Sequence, residues 1–248
     1  MHVELTDKVA LVTGGARRVG RAIALGLGER GANIVVHHGH SDESAADTAR
    51  EIKSYGVDAL VVKADLGNPS EIENLFERIR EHYGRLDILV NNASNFQRRE
   101  LLEITLDDWH ETMNVNLRAP FLCTQHAARL MRENDPPGGV IVNILDKGVF
   151  RPWPKYPHHG ISKAALHALT EVSAVSLAPD IRVNAVLPGP VMKPDTGMTD
   201  EDWERLGATL PLRHSGTAED VARAVCFLCG EDFLTGTIIY VNGGGHLT

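Results

Sequence analysis

Leu11-Val12-Thr13-Gly14-Gly15-Ala16-Arg17-Arg18-Val19-Gly20 is the stretch of sequence that decides the fold. It continues an apolar run of strand length and precedes a segment whose apolar residues recur at helical spacing. A glycine-rich turn between a strand and a helix exposes backbone N–H groups at the positive end of the helix dipole, where a pyrophosphate binds. Three glycines match the dinucleotide fingerprint, although Arg18 stands where its middle glycine is expected. On this loop alone, a tight turn or glycine C-cap in another α/β domain remains the alternative.

Length and charge limit the class of protein. The 248 residues suit one large α/β domain, and a net charge of −8 argues against a nucleic-acid or anionic-membrane partner. No apolar run approaches the roughly 18 residues of a membrane span. The first strand begins too early to leave room for a signal peptide. We therefore expect a single domain over residues 1–248, in the cytoplasm, acting on a small-molecule substrate.

Two residue clusters resemble metal sites, and we expect no metal at either. Cys226 and Cys229 form a C-x-x-C pair inside an apolar run, but no second pair completes a site, so buried core thiols are predicted. The three histidines at 37, 38 and 40 lack the carboxylate–histidine spacing that would support a metal site.

Apolar runs alternate with helical patterns through the whole chain. The predicted strands are 9–13, 34–37, 60–63, 88–91, 140–144, 182–187 and 238–241. The predicted helices are 18–30, 44–55, 69–83, 106–132, 158–177 and 217–228. Most strands are continuous apolar runs, which is typical of strands covered on both faces. The order predicts an α/β fold with a doubly wound, parallel, seven-stranded Rossmann-type sheet, whose ligands bind at the carboxyl ends of the strands. The irregular stretch 191–212 is predicted to be a mobile substrate lid.

The loop after the second strand indicates which nucleotide binds. An acidic residue that would hold the 2′-hydroxyl of NAD is absent from positions 37–41. His40 and Ser41 can instead donate to a 2′-phosphate, with Arg17 or Arg18 approaching from the glycine loop. This pattern favours NADP(H), although two acidic residues directly after Ser41 place negative charge nearby.

Polar residues also stand at other strand ends. Asp65 is placed to accept a hydrogen bond from an adenine amino group, or alternatively to cap a helix. The motif Asn91-Asn92-Ala93-Ser94 can bridge strand ends and contact ribose. Asn116 is unfavourable inside a helix, so it indicates a kink, a water site or a proton path, unless it is a plain surface residue.

Three ionisable residues follow the fifth strand. His159 and Lys163 are four residues apart and share one helix face, and Asp146 directly follows the strand. Together they can form a proton-transfer site beside a nicotinamide. The alternative is that His159 is an ordinary polar residue at a helix start.

With these residues assembled, the chain resembles the short-chain dehydrogenase/reductase family over essentially its full length. The matching residues are Thr13, Gly14, Gly20, Asp65, Leu66, Asn91, Asn92, Ala93, Asn116, Lys163, Pro188 and Gly189, together with the stretches 235–237 and 241–244. The resemblance implies a homodimer or homotetramer with the long central helices packed between subunits. The expected cofactor-binding residues are Gly14, Arg17, Arg18, Val19, Gly20, His38, His40, Ser41, Asp65, Leu66, Asn92, Ala93, Ser94, Lys163, Pro188 and Gly189.

Within this family the chain looks most like the pteridine reductases. The shared features are the Arg17-Arg18 pair, the histidine-containing loop that ends at Ser41, and an aspartate, Asp146, where most of the family has serine. The resemblance implies that Ser94 contacts the ligand and that Phe96 stacks on the pterin opposite the nicotinamide.

One position departs from the family pattern, because His159 stands where the family has its catalytic tyrosine. Lys163 is expected to bind the nicotinamide ribose, Asn116 to support a water path, and Asp146 with His159 to handle the proton. Tyr156, one helical turn earlier, is a further candidate if the helix starts early. The chain is therefore expected to be an NADPH-dependent reductase of a pterin-like C=N substrate. The alternatives are a keto or 3-oxoacyl reductase and a nucleotide-binding protein without turnover.

Overall fold

The computed structural model describes residues 5–195 and 197–248, and its strands form one parallel sheet. The strands are β1 (Val9–Val12), β2 (Asn33–His38), β3 (Ala59–Lys63), β4 (Ile88–Asn91), β5 (Gly139–Ile144), β6 (Ile181–Pro188) and β7 (Ile238–Val241). Their order in the sheet is β3-β2-β1-β4-β5-β6-β7: successive strands are added on one side of β1 as far as β3, and from β4 onward on its other side. This is the predicted doubly wound arrangement, and the fold prediction is confirmed. The carboxyl ends of β1 and β4 therefore flank the switch point where ligands bind.

Helices cover both faces of this sheet. They are α1 (Arg18–Gly28), α2 (Asp42–Ser54), α3 (Pro69–Tyr83), α4 (Leu106–Met113), α5 (Ala119–Arg132), α6 (Pro157–Leu177), α7 (Asp200–Ala208) and α8 (Ala218–Gly230). Short 3₁₀ segments occupy Leu101–Glu103 and Lys147–Val149. None of the described helices is both long enough and apolar enough to cross a bilayer.

Alternating side chains of β1 belong to two different hydrophobic cores, one on each face of the sheet. On β1, Ala10 and Val12 belong to the core under α1, α2 and α8, whereas Val9 and Leu11 belong to the core under α3 and α5. Because both faces are buried, every residue of β1 must be apolar. This explains why the strand reads as a continuous apolar run rather than an alternating one.

Two predicted elements differ from the structure. The segment 106–132 is not one continuous helix, since a π-helical turn at Asn114–Arg118 separates α4 from α5. The stretch 191–212 is not wholly irregular, because it contains α7, whose N-terminus is closed by a reciprocal capping box between Thr199 and Asp202. That T-x-x-D pattern was visible in the sequence. Thr196, inside the predicted lid, lies outside the described residues.

The C-x-x-C pair lies on α8, and both thiols are buried, which confirms the prediction for Cys226 and Cys229. Burial raises the pKa of the Cys226 thiol to about 11 and raises that of Cys229 further. Neither sulfur is therefore a thiolate at neutral pH.

Candidate active site

The glycine loop between β1 and α1 depends on close backbone approach. Gly14 has a φ of 64°, which favours glycine. A Cβ on Gly20 would collide with the carbonyl oxygen of Gly14 and come within 2.5 Å of Asn92 Nδ2. Among the described residues no side chain caps the N-terminus of α1. Its first amide groups are therefore able to donate hydrogen bonds to an anion.

The buried side chain of His37 connects the glycine loop to the end of β3 through two hydrogen bonds. The Gly14 amide donates to His37 Nδ1 at 3.0 Å, and His37 Nε2 donates to the Ala64 carbonyl at 3.0 Å. Burial lowers the pKa of His37 to about 4, so the ring is neutral at pH 7 and its tautomer is fixed by these two partners. The side chain of His37 therefore fixes the glycine loop against the end of β3.

Ten of the predicted cofactor residues line one cavity of about 360 Å³. They are Gly14, Arg17, Arg18, Val19, Gly20, His38, Ser41, Asn92, Ala93 and Ser94. The remaining six, His40, Asp65, Leu66, Lys163, Pro188 and Gly189, lie outside its lining. The cavity thus joins the glycine loop to the ends of β2 and β4, where the pyrophosphate and adenosine parts of a dinucleotide bind in this fold.

The end of β2 presents polar groups to this cavity. Ser41 precedes α2 without making a side-chain capping bond, and His38 Nδ1 is buried without a partner among the described residues. The negative charge of Asp42 is offset by Lys63, whose Nζ lies 3.1 Å from it. That hydrogen bond lowers the pKa of Asp42. The acidic neighbour of Ser41 is therefore already paired with a cation.

Arg18 connects the glycine loop to the predicted lid. Its backbone has a φ of 55°, and its guanidinium donates to Asp195 Oδ1 at 2.8 Å and to the Lys193 carbonyl at 3.3 Å. Because Asp195 belongs to the stretch 191–212, this ion pair ties that stretch to the cofactor cavity. The guanidinium points at the lid rather than at the 2′-phosphate end.

Three other residues that were predicted to contact the nucleotide, Asp65, Leu66 and Gly189, lie outside the lining of this cavity. Asp65 Oδ1 accepts the Gly67 amide at 2.8 Å, and Asn68 rather than Asp65 caps α3, so the capping alternative is wrong. The side chain of Leu66 is buried in the core, which leaves only its backbone for a nucleotide. Gly189 follows β6 where a Cβ would lie 2.7 Å from Asn242 Cβ.

Side chains bridge the strand ends beside the loop. Thr13 Oγ1 accepts the amides of Asn92 and Ala93 at 2.9 and 3.1 Å, and Asn92 Nδ2 donates to the Thr13 carbonyl at 2.8 Å. Asn91 Nδ2 donates to Asn143 Oδ1 at 2.9 Å across β4 and β5. These contacts fix the edge of the sheet on which a ligand would lie.

Asp146 and His159 form a largely buried pair at the end of β5. His159 Nε2 donates to Asp146 Oδ2, and Asp146 Oδ1 accepts the Gly148 amide at 2.7 Å. Burial alone would raise the pKa of Asp146. The hydrogen bond from His159, with the nearby charges of His159 and Lys163, outweighs burial and holds that pKa below its usual value. The carboxylate is therefore ionised at neutral pH.

Lys163 lies one helical turn beyond His159 and is fully enclosed. Its Nζ donates to the Ile144 carbonyl at 2.8 Å. Burial lowers the pKa of the Lys163 ammonium, and the charge of Asp146 acts in the opposite direction. The structure thus brings together Asp146, His159 and Lys163, the three residues that the sequence proposed as a proton-transfer site.

Asn95 lies at the centre of the hydrogen bonds around His159, and it was not identified as a site residue from the sequence. Its carbonyl lies 3.0 Å from His159 Nδ1, and its amide donates to Asn116 Oδ1 at 2.7 Å. Its side chain donates to Glu111 Oε1 at 2.8 Å. Asn95 directly follows the recognised motif that ends at Ser94, which was the only sequence signal. Nothing in the sequence marked Glu111.

Asn116 completes the contacts to His159. Its Nδ2 lies 3.2 Å from His159 Nδ1 and donates to the Asn95 carbonyl at 2.9 Å. The residue is fully buried within the π-helical turn, so the surface alternative is wrong and the expected helix irregularity is confirmed. The two hydrogens of Asn116 Nδ2 are shared among the Asn95 carbonyl, Ser162 Oγ at 3.1 Å and His159 Nδ1. His159 Nδ1 therefore lies beside an acceptor, the Asn95 carbonyl, and beside a group able to donate to it, the Asn116 amide.

Aromatic rings surround the pair. Phe96 is 50% exposed, stacks on Tyr156 with ring centroids 4.3 Å apart, and contacts the His159 ring edge-to-face at 4.6 Å. Trp153 packs against both Phe96 and Tyr156. Tyr156 directly precedes α6 and makes no hydrogen bond to Asp146 or His159 within the described residues. In the structure Tyr156 is a packing partner of Phe96.

Comparison with known proteins identifies the family to which this chain is similar. Residues 14–246 match the family model described as "Enoyl-(Acyl carrier protein) reductase". An uncharacterized oxidoreductase of Escherichia coli is 36% identical over 241 residues, which span 96% of this chain and 95% of the relative. A 3-oxoacyl-[acyl-carrier-protein] reductase of Staphylococcus aureus is 34% identical over 97% of this chain and 98% of its own length.

Solved structures of oxidoreductases superpose closely on this chain. A putative short-chain alcohol dehydrogenase from Sinorhizobium meliloti superposes with a TM-score of 0.92 at 32% identity, covering 100% of this chain and 99% of that one. The alternative dihydrofolate reductase FolM from Brucella canis, solved with NADP, has a TM-score of 0.89 at 33% identity, covering 97% and 95%. The chain belongs to the short-chain dehydrogenase/reductase family of oxidoreductases.

Proposed function

We propose that this protein is an NADPH-dependent reductase of a pterin-like heterocycle, a dihydropterin or dihydrofolate, acting on a C=N bond. The observation that carries the proposal is the buried Asp146–His159 pair in contact with the half-exposed ring of Phe96. An aromatic platform beside a proton source suits a planar, nitrogen-containing ring. The likeness to FolM supports the same substrate class.

The residues around the cavity fit NADP(H) chemically. The uncapped start of α1 offers amide donors for the pyrophosphate, while His38 and Ser41 offer donors for a 2′-phosphate. Pairing with Lys63 offsets the charge of Asp42, one of the two acidic residues that follow Ser41. Lys163 is proposed to reach the nicotinamide ribose. When bound, the cofactor supplies the hydride.

Asp146 and His159 are proposed to supply the proton that the ring nitrogen takes up. In the charged state, His159 donates from Nδ1 to the Asn95 carbonyl and from Nε2 to Asp146. Asp146 passes the Nε2 proton to the substrate nitrogen and remains a carboxylate. The neutral imidazole left behind keeps its Nδ1 bond to Asn95. Histidine can therefore perform the tyrosine's work because a carboxylate stands between it and the substrate.

Three further features are proposals of the same kind. The stretch 191–212 is proposed to close over the substrate, with the Arg18–Asp195 pair as its contact to the cofactor cavity. Exposed apolar side chains on the long helices α5 and α6, including Phe121, Val172 and Val175, support packing between subunits of a homodimer or homotetramer. A cytoplasmic location is also proposed.

A second candidate is a reductase of keto or 3-oxoacyl substrates, favoured by the likeness to the Staphylococcus aureus reductase. A third is a nucleotide-binding protein without turnover. The observation that favours it is His159, which stands where the family has its catalytic tyrosine. Loss of NADPH absorbance, followed with dihydrobiopterin, dihydrofolate and a small ketone, separates the three. Turnover of the pterins alone supports the proposal, turnover of the ketone supports the second candidate, and tight NADPH binding without oxidation supports the third.

His159→Tyr sharpens this test. If the site is adapted to pterins, tyrosine will lose the bond to Asp146 and pterin reduction will fall sharply. A large gain of activity on ketones would instead indicate a carbonyl reductase that had lost its tyrosine.

A further inference from the structure

Four cations that form no ion pair within the described residues lie in the two loops that carry the aromatic cluster beside the proposed active site. We call four exposed residues the cationic rim: Arg98, Lys147, Arg151 and Lys155. Within the described residues none of them forms an ion pair with a carboxylate, although the chain carries 33 acidic residues and a net charge of −8. After Asp146 the next acidic residue is Glu171. The loop that carries three of these cations therefore has no carboxylate of its own to neutralise them.

Two contacts connect residues of the cationic rim to the segments that carry the aromatic rings. The amide of Arg99, next to Arg98, donates to the carbonyl of Lys155 at 3.1 Å, which joins the loop after β4 to the loop before α6. Lys147 Nζ lies 4.4 Å from the centroid of the Trp153 ring. Trp153 in turn contacts Phe96 at 5.3 Å between centroids. Lys147 therefore lies on the aromatic cluster itself, and the backbone of Lys155 is joined to the loop that carries Phe96 and Arg98.

Such a surface has a specific ligand chemistry. An aryl group can stack on exposed rings, and carboxylates beyond it can meet ammonium and guanidinium groups. Because the chain carries a net charge of −8, a local group of unpaired cations favours the approach of an anionic ligand to this part of the surface. A ligand that carries carboxylates would supply these four cations with partners of opposite charge.

We propose that the cationic rim is a subsite for a carboxylate-bearing aryl extension of the substrate. The proposal rests on the proposed function and sharpens it. Among pterin-like substrates, those with a carboxylated aryl tail are preferred over those with a short uncharged side chain. The rim recognises the tail, while Phe96, Asp146 and His159 act on the ring.

The first test compares two substrates in two matched double variants. Arg151→Gln with Lys155→Gln removes two rim charges, and Arg50→Gln with Arg78→Gln removes two exposed charges from α2 and α3. We expect the rim variant to raise KM about tenfold for dihydrofolate and to leave KM for dihydrobiopterin within about twofold. Added salt should reduce the difference. Equal effects on both substrates, or an effect equal to that of the control variant, would overturn the proposal.

The second test separates the rim from the reaction. Calorimetry on the NADP⁺-loaded protein measures binding of p-aminobenzoylglutamate, which has the aryl tail and carboxylates but no pterin, against uncharged p-aminobenzamide. We expect tighter binding of the charged probe, weakened about tenfold in the rim variant. If that difference appears and no pterin is reduced, only the proposed function fails. If pterins are reduced but the probes bind equally, only the rim proposal fails.

The same double variant also tests a protein partner. A rim variant that lost activity only with a 3-oxoacyl group carried on acyl carrier protein, and bound the small probes like the wild type, would assign the rim to an acidic protein. That result would overturn the proposal.

Discussion

The glycine loop holds its shape mainly through backbone groups, whereas the corner around His159 depends on side chains from several elements. At the loop, Gly14 and Gly20 allow the backbone to approach itself, and His37 is the main side chain beneath it. At the corner, the ring of His159 contacts groups that follow β4 and β5 and a group in the turn before α5. A backbone site fails when atoms are added to it. A side-chain network fails when one of its members is removed.

The largest expected effect comes from adding one methyl group to the loop. Gly20→Ala places a Cβ against the carbonyl of Gly14, so the loop must open and its amides lose their alignment. We expect NADPH affinity to fall at least about 100-fold, since several charge-assisted hydrogen bonds are lost together. Isothermal titration calorimetry measures this.

Gly26→Ala is the matched control on the same helix. Its Cβ would meet Ala222 at an ordinary contact distance of 3.4 Å. Its affinity for NADPH should equal that of the wild type. Similar losses in both variants would show that α1 as a whole, rather than close backbone approach, limits binding.

His37 predicts a pH dependence of stability. Its pKa is about 4 in the folded protein and 6.5 when unfolded, so the unfolded chain binds the proton first and stability falls as pH drops from 6.5 towards 4. Between pH 7 and pH 5 this group removes about 2 kcal/mol from the free energy of unfolding. Urea denaturation of His37→Gln should show a decline smaller by that amount. Identical pH dependence in both proteins would contradict the role of His37.

A smaller effect is expected from the support beneath Asn95. Glu111 accepts hydrogen bonds from Asn95 at 2.8 Å and from Gln97 at 2.9 Å. Glu111→Ala should lower kcat about tenfold, because the Asn95 carbonyl then positions His159 less well. It should leave NADPH affinity unchanged and shift the pH profile of kcat.

Glu103→Ala, which removes an exposed carboxylate from the 3₁₀ segment before α4, is the control and should leave kcat unchanged. A loss of NADPH affinity in Glu111→Ala that accompanied the loss of kcat would indicate general destabilisation rather than positioning.

The smallest effect is expected at the link between the two regions. Asp195 is 84% exposed and Arg18 is 40% exposed in their ion pair, and pairs of this kind contribute at most about 1 kcal/mol. Asp195→Asn should change KM for the pterin by less than about threefold, and less still at high salt. A change of an order of magnitude would show that lid closure depends on this pair.

The sheet and most helices could be predicted from the sequence because local patterns determine them. The apolar runs of β4 and β7 and the Asn68-Pro69 start of α3 give boundaries that agree with the structure. Asn116 indicated an irregularity in this helical segment. Its form, a π-helical turn at Asn114–Arg118, could not be predicted, because the turn accommodates the buried contacts of Asn116 with the loop after β4. Those contacts form only in the folded chain.

The site could be predicted in part. Asp146, His159 and Lys163 follow from helix spacing and the position of a strand end, and the structure brings them together. Asn95 and Glu111 could not be found, since the function of Asn95 at His159 is performed by its backbone carbonyl, which every residue has. Their roles depend on which loop reaches the ring, and the sequence does not encode this in any local pattern.

The central claim is that Asp146 and His159 together deliver the proton for reduction. Single-turnover oxidation of bound NADPH by a dihydropterin, measured in the wild type and in Asp146→Asn, tests it most directly. We predict that Asp146→Asn binds NADPH as tightly as the wild type and oxidises it at least about 100-fold more slowly. Equal rates of oxidation in the two proteins would contradict the account.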